Sequence, residues 1–457
     1  MPAEAEAVFN SLGARYEAAF GMDKELQRFN EFVAKSLPSR SKVLDVGCGT
    51  GKPVSHILAS AGHEVHGIDI SEEMVTIAGS QVSGNFQVAD MRTYQPPELF
   101  DAVFAIRSLF QMPSCDMCSI AVRFSQWIKV GGYLVLGVTP STALPPQKVT
   151  YDSTWDCAWV LDKLWMGNYV DDLFLSEQRW FQLLRESGFV IEAEPVSYLF
   201  SPAGQDQSPE AHYLLLARKV EREPLLGPYP LPRCLKPSTL KRTDNFFAPN
   251  LVSKGLERLL EDIGDSEKVL CIGKDLAYGR FQHHRTRFLG TPLEEDLPFA
   301  PGTFNTVLAL WQMDNVLNME KTIQQMTDVV GRLDSKIVIV QGGPYNEVVQ
   351  LLTSVARSPP VSHQGHLLHS AMGYLARHGF GNITLHQIDA HYEFQEESHS
   401  ERCAAAAKFL AGIWHHQHFQ QAMITKALVD RLQLRFRNDA YMVSHGMVAI
   451  VARSSLN

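Results

Sequence analysis

The stretch from Ser41 to Leu58, SKVLDVGCGTGKPVSHIL, constrains the fold of this chain more than any other. An apolar run ends at Asp45-Val46, glycines stand at 47, 49 and 51, and a helical pattern begins at Pro53. Glycine at such a junction lets the chain turn sharply and lets a ligand approach bare backbone. The spacing is Gly-x-Gly-x-Gly, not the Gly-x-Gly-x-x-Gly of a dinucleotide pyrophosphate site, and no Walker Gly-Lys-Ser/Thr follows. Short apolar segments then alternate with helical patterns. Val43–Val46, Glu64–Ile68, Phe86–Val88, Ala102–Ile106 and Tyr133–Gly137 read as strands, with helices such as Pro53–Ala61 and Glu72–Gly79 between them. That alternation predicts an α/β fold with a parallel sheet covered by helices on both faces.

At 457 residues the chain is long enough for two or three domains. Residues 221–240 are proline-rich and lack period, which predicts a linker between a domain at 1–220 and another at 241–457. The first pattern recurs beyond it. Lys42-Val43-Leu44 matches Lys268-Val269-Leu270, Phe100 matches Phe304, and Gly188 matches Gly379. The offset falls from 226 to 204 between the first two matches, so about 22 residues are missing from the second copy. Two α/β units in tandem are expected, the second degenerate. A net charge of −9 argues against a nucleic-acid partner. No secretory leader and no apolar run of membrane-spanning length is evident, which predicts a cytoplasmic protein without a membrane partner. Seven scattered cysteines, with one unpaired Cys115-x-x-Cys118, point to a reduced setting without a zinc site.

The segments VLDVGCGTG, VHGIDISEEMVTIA, FQVADMRTY and FDAVFAIRSLFQM resemble, in order and spacing, the class I S-adenosylmethionine-dependent methyltransferases, whose fold is Rossmann-like. The resemblance covers Phe9 to Lys219. It implies that Gly47, Cys48, Gly49 and Gly51 cradle the methionine part of S-adenosylmethionine, and that S-adenosylhomocysteine is a product. Asp69, 20 residues past Gly49, stands where an acid accepts both ribose hydroxyls. Ile70 and Met74 would flank the adenine, Asp90 and Met91 would read its amino edge, and Asp45 would orient the sulfonium end. Tyr16 sits where related enzymes fold a helix over the cofactor. Asp69 also has a plainer reading, as the start of a turn before Ser71 caps the next helix.

The acceptor is expected to be a small molecule. After the fourth strand stand Arg107 and Gln111 and no histidine; an arginine there can grip a carboxylate through its planar fork, and Gln111 can donate to a substrate oxygen. Arg107 equally reads as the partner of an acid. Trp155, Trp159, Trp165 and Tyr169 fall where the family places its substrate cover, with Trp155 and Trp159 at helical i, i+4 spacing. The tandem layout is similar to fungal secondary-metabolite methyltransferases, some of which methyl-esterify carboxylic and dicarboxylic acids. A methyl ester is therefore the expected product. Phenol or amine methylation, with His56, His63 or the second domain supplying a base, is the alternative. A regulatory protein that binds the cofactor without turnover is the reading from another class.

In the second copy Lys274 and Asp275 follow Gly273 where bare backbone is needed, and Cys271 replaces Asp45. The missing residues are expected to have carried the second strand with its acid. This half reads as a cap, a substrate-shaping element or a homodimer interface. Its histidines, His363, His366 and His369 and then His415, His416 and His418, suit capping, core hydrogen bonds or a partner surface better than a metal. A long helical pattern follows Ser400.

Overall fold

The computed structural model describes residues 5–454, apart from 154, 204–208, 230, 232–249, 264–267, 273–285, 290–296, 315, 317, 332–334, 356–363 and 415–420. The chain divides into two compact units, Met1–Pro230 and Leu231–Asn457.

The first unit opens with helices α1 (Ala5–Leu12), α2 (Ala14–Phe20) and α3 (Lys24–Ser36). Asp23 caps α3 by accepting from the Leu26 amide at 3.0 Å. Then come β1 (Lys42–Val46), α4 (Val54–Ser60), β2 (Glu64–Asp69), α5 (Glu72–Gln81), β3 (Asn85–Val88), β4 (Phe100–Ile106), α6 (Ser114–Trp127) and β5 (Ile128–Val138). A small antiparallel sheet follows, β6 (Thr150–Asp152), β7 (Cys157–Trp165) and β8 (Asn168–Leu175). The unit ends with α7 (Glu177–Glu186), β9 (Phe189–Ile191), β10 (Val196–Phe200) and β11 (Glu210–Lys219).

The main sheet has the order β10-β11-β5-β4-β1-β2-β3, parallel from β5 to β3, with β11 antiparallel to β5. Val43, Leu44 and Val46 are buried on both faces of the central strand, which is why β1 reads as an unbroken apolar run. Leu58 and Phe104 fill one side, and Phe100, Phe124 and Trp180 the other.

The tryptophan-rich stretch is not helical. Cys157–Trp165 pairs antiparallel with Asn168–Leu175 through Met166 and Gly167, whose φ angles are +47° and +84°. Two positive φ angles make the mirror-image turn that matches strand twist, and glycine makes it accessible. Trp155 and Trp159 therefore do not share a helical face. The expected linker also begins inside this unit. Leu225 and Leu226 are buried, and both their amides donate to the Glu186 carbonyl.

The second unit contains β12 (Leu251–Val252), α8 (Lys254–Glu261), β13 (Val269–Ile272), β14 (Thr286–Leu289), β15 (Thr306–Leu310), α9 (Met319–Val329), β16 (Lys336–Gly342), α10 (Glu347–Val355), α11 (Gln364–Arg377), β17 (Asn382–Ile388), β18 (His391–Glu393), α12 (His399–Trp414), α13 (Gln421–Arg435), β19 (Met442–Ser444) and β20 (Met447–Arg453). The helical pattern after Ser400 is thus carried by two helices. The larger sheet has the order β14-β13-β15-β16-β20-β17, with β20 antiparallel to both neighbours. Counted from the Lys-Val-Leu strand, this is the order of the first sheet without its outermost strand, among the described residues. β14 lies beside β13, in the second strand's place, which corrects the expectation that the second strand was deleted. The shortened passage is 290–305, against 70–99 in the first unit.

Candidate functional site

The site forms at the carboxyl ends of β1, β2 and β4, where loops leave a parallel sheet and ligands of open α/β folds bind. Gly47, Gly49 and Gly51 all have positive φ, at 70°, 52° and 82°. They serve different needs. A Cβ on Gly47 would lie 2.2 Å from Ser108 Cβ, and one on Gly51 would lie 3.0 Å from Val82 Cγ2. At Gly49 only Tyr16 Cε1, at 3.8 Å, stands nearby, so this backbone faces open space under the tyrosine ring. Asp69 Oδ2 accepts from the Gly49 amide at 2.8 Å, and Oδ1 accepts from the Ser71 amide at 2.9 Å. Ser71 in turn caps α5 through the Met74 amide. The turn-forming reading of Asp69 therefore holds together with its place in the wall of the site.

Gly47, Gly49, Asp69, Ile70, Asp90, Met91, Tyr16, Arg107, Gln111, Trp159 and Trp165 all line one chamber of about 1280 Å3. Six of the expected residues lie outside its wall. Asp45 is buried behind the loop and accepts from Ser55 Oγ at 2.7 Å. Cys48 is buried, with its sulfur in the space a Gly67 side chain would need. Gly51 packs against α5. Met74 is fully buried with Val8, Leu12 and Val170, where α1 crosses α5. Trp155 packs on the core, and Tyr169 is 60% exposed.

Burial raises the carboxyl of Asp45 to about 7, helped by the charge of Asp69, although Ser55 opposes the change. Burial likewise lifts Asp69 above the usual carboxylate range, against its amide hydrogen bonds. Asp90 is held low by Arg92, whose guanidinium grips it with Nε at 2.9 Å and Nη2 at 2.6 Å.

Arg107 does not offer its fork to a substrate. It sits at φ +58° just past β4, its Nη2 donates to Glu210 Oε2 at 2.7 Å, and Cζ lies 3.8 Å from the centre of the Phe20 ring. The reading of Arg107 as the partner of an acid is the one the geometry supports, and that acid is a half-buried glutamate on β11. Gln111 Nε2 reaches Asp172 Oδ1 at 3.4 Å, and Lys163 Nζ donates to Asp172 Oδ2 at 2.8 Å. His56 and His63 are not in the wall; His63 Nε2 bonds to the Ala34 carbonyl at 2.9 Å. Glu210 and Phe20 escaped the sequence reading because their partner Arg107 is distant in sequence, 103 residues away for Glu210. Lys163 and Asp172, nine residues apart, meet instead across the β7–β8 hairpin, which the helical reading of this stretch left out.

Among the described residues no group of three or more His, Cys, Asp and Glu side chains could hold a metal. His363, His415, His416 and His418, like Gly273, Lys274 and Asp275, lie outside the described residues. His366 and His369 lie on α11. No helix among the described residues is long and apolar enough to cross a membrane.

Residues 43–132 match the family model described as "Methyltransferase domain". Phosphoethanolamine N-methyltransferase 1 of Arabidopsis thaliana is 32% identical over 133 residues, 27% of this chain and 27% of that protein. The 27-O-demethylrifamycin SV methyltransferase of Amycolatopsis mediterranei (strain S699) is 31% identical over 135 residues, 27% of this chain and 49% of that protein. A S-adenosylmethionine-dependent methyltransferase structure from Methanosarcina mazei aligns over 41% of this chain and 97% of its own with 21% identity and a TM-score of 0.35. The match to the plant enzyme spans about a quarter of that relative's length. The first unit thus carries a methyltransferase domain with the Rossmann-like fold of the class I S-adenosylmethionine-dependent enzymes, and S-adenosylmethionine is the cofactor of that fold.

Proposed function

We propose that the first unit transfers a methyl group from S-adenosylmethionine to an oxygen of a small, largely apolar acceptor, with a carboxylic acid as the favoured class. One observation carries the reading. The Gly47–Gly49–Asp69 cradle and an aromatic wall of Phe9, Tyr16, Phe110, Trp159, Trp165 and Phe174 line the same half-open chamber. Its volume exceeds the usual range of about 300–1,000 Å3 for a single small-molecule site, so donor and acceptor fit together. The cradle suits the cofactor, because Gly49 presents backbone that a Cβ would cover and Asp69 stands beside it. Bound there, the cofactor supplies a methyl group already activated by its sulfonium.

The chain then has to align the acceptor and exclude water. Tyr16 over Gly49 and the β7–β8 hairpin with Trp165 supply the cover. A carboxylate acceptor is ionised at neutral pH and needs no base, and no histidine lines the chamber among the described residues. With Arg107 held by Glu210, Lys163 is one of three further cations in the wall among the described residues, with Lys148 and Arg92. It shares Asp172 with Gln111, and an acidic acceptor would compete with that acid for it. An amine acceptor is the second reading. The acids Asp171 and Asp172 in the wall favour it, as does the likeness to phosphoethanolamine N-methyltransferases.

The second unit is proposed to be a degenerate copy that shapes the substrate site or mediates dimerisation, with 221–240 as the connection. Its strand order supports this, and so does a shared backbone kink. Arg107 and Trp311 both have positive φ, and their amides donate to the carbonyls of Gly137 and Val340. Where the first unit pairs Arg107 with Glu210, the second stacks Trp311 on His445 at 4.6 Å.

The test is a methyl-donor assay on the full chain with aromatic carboxylic acids, phenols and amines. Products that release methanol in mild base are esters and support the reading. Transfer to amines alone would establish the second reading, and cofactor binding without any transfer would leave a regulatory protein.

A further inference from the structure

The geometry points to Glu210 as a latch that holds the cover of the chamber closed over the methyl donor. The inference rests on the reading that the Gly47–Asp69 cradle binds S-adenosylmethionine. Glu210 opens β11, which is separated from β1 in the sheet by β5 and β4. Its two oxygens reach two separate parts of the cover. Oε2 accepts from Arg107 Nη2 at 2.7 Å, and Arg107 Cζ sits over the Phe20 ring of α2, 3.8 Å from its centre. Oε1 accepts from Trp165 Nε1 at 3.1 Å, at the end of β7. Phe20 stacks on Tyr16 at 5.1 Å, and Tyr16 stands over Gly49. Trp165 meets Phe9, Tyr16 and Phe20 with ring centres 6.0, 6.3 and 6.0 Å apart. One carboxylate therefore ties the leading helices and the hairpin to the main sheet.

The latch is braced from behind. His212, 3% exposed, directs Nε2 at Glu210 Oε2 across 3.9 Å, and its Nδ1 bonds Asp23 Oδ2 at 3.0 Å. Tyr198 donates to the same Asp23 oxygen at 2.8 Å, and Asp23 also caps α3. The brace thus joins β10 and β11 to the start of α3, immediately after the cover helices. A purely structural ion pair would need no contact with the chamber, whereas Arg107, Trp165 and Glu210 all line it. Glu210 is a positioning residue here, since it acts on the donor through Tyr16 and Trp165.

The test uses the full chain and S-adenosylhomocysteine as the probe, with its dissociation followed by stopped-flow competition. Glu210→Gln removes the charge, and Trp165→Phe removes only the indole N–H and part of the ring. Loss of a hydrogen bond to a charged group predicts dissociation about 10-fold faster or more in each, with little change in association rate. Glu210→Gln, which leaves Arg107 without its charge partner, also lowers the melting temperature, and Trp165→Phe lowers it less. The double variant should dissociate more slowly than the product of the two single effects predicts, because Glu210 Oε1 and Trp165 Nε1 are the two ends of one hydrogen bond. Dissociation from Glu210→Gln at the wild-type rate, or effects that multiply, would overturn the latch. If Glu210→Gln does not fold, the Trp165→Phe rate decides alone. Wild-type protein that fails to bind the probe would remove the cradle reading itself, a result distinct from failure of the latch.

Discussion

Asp45→Asn should stabilise the ligand-free protein at neutral and alkaline pH while weakening its hold on the methyl donor. Asp45 is 2% exposed, and burial displaces its carboxyl from an ordinary 3.8 to about 7. At about 1.4 kcal/mol per pH unit, ionising it inside the fold costs about 4 kcal/mol at most. The sign follows from proton binding. Between about pH 4 and pH 7 the folded state holds a proton that the unfolded chain has released, so stability falls as pH rises through that window. Asparagine keeps an oxygen for Ser55 Oγ and carries no charge. The variant should match wild type near pH 4 and exceed it by up to about 4 kcal/mol at pH 8. Urea unfolding at pH 4, 6 and 8, followed by a probe in the first unit, measures the difference. Equal stability at pH 8, or the same slope with pH in both proteins, would refute the argument. The cost makes sense if a bound cation offsets it: the proposed donor is a sulfonium. Wild type should therefore gain more stability from the donor at pH 8 than the variant does.

Three further substitutions separate folding from binding. Gly47→Ala drives a methyl into Ser108 at 2.2 Å from a backbone at φ +70°, and should destabilise by about 3 kcal/mol or more in thermal unfolding. Gly49→Ala meets no such contact, so it should cost about 1 kcal/mol for its left-handed backbone yet weaken donor binding at least 10-fold by calorimetry. Lys163→Ala should raise KM for acidic acceptors roughly 10-fold, the value of one hydrogen bond to a charged group. It should leave donor affinity unchanged; an unaltered KM would move the acceptor's partner elsewhere.

Much of the first unit was legible because its signals are local. Glycines at 47, 49 and 51 stand between an apolar strand and a helix, and Asp69 ends the next strand, so the cradle could be read from a short window. The cover could not be read this way. Trp155 and Trp159 sit at helical spacing, but the segment is a hairpin; the overlooked cue was Met166-Gly167 between two runs of aromatic and aliphatic residues. Arg107 was visible as a residue after β4, yet its role is set by Glu210, which tertiary folding alone brings near. The motif places Met74 at the adenine, whereas Val8 and Leu12 of α1 pack on it and bury it. In the second unit the sequence shows fewer residues between Lys268-Val269-Leu270 and Phe304 than between Lys42-Val43-Leu44 and Phe100, but not which element is shorter. Pairing of β14 beside β13 places most of the difference after that strand. Val43 pairs with Val65 and Ala102, and Val269 with Thr286 and Thr306, so five residues fewer precede it and 17 fewer follow it.

The most direct test of the account is calorimetric titration of the full chain with S-adenosylmethionine, repeated with Asp69→Asn. This variant loses the charge and keeps an acceptor oxygen for only one of the Gly49 and Ser71 amides, which bond Oδ2 and Oδ1 respectively. Its thermal unfolding is followed alongside to separate loss of binding from loss of fold. The account predicts one site per chain, weakened at least 10-fold in the variant, the effect of losing a charge-assisted hydrogen bond. Two sites per chain, or one site indifferent to Asp69→Asn, would contradict it.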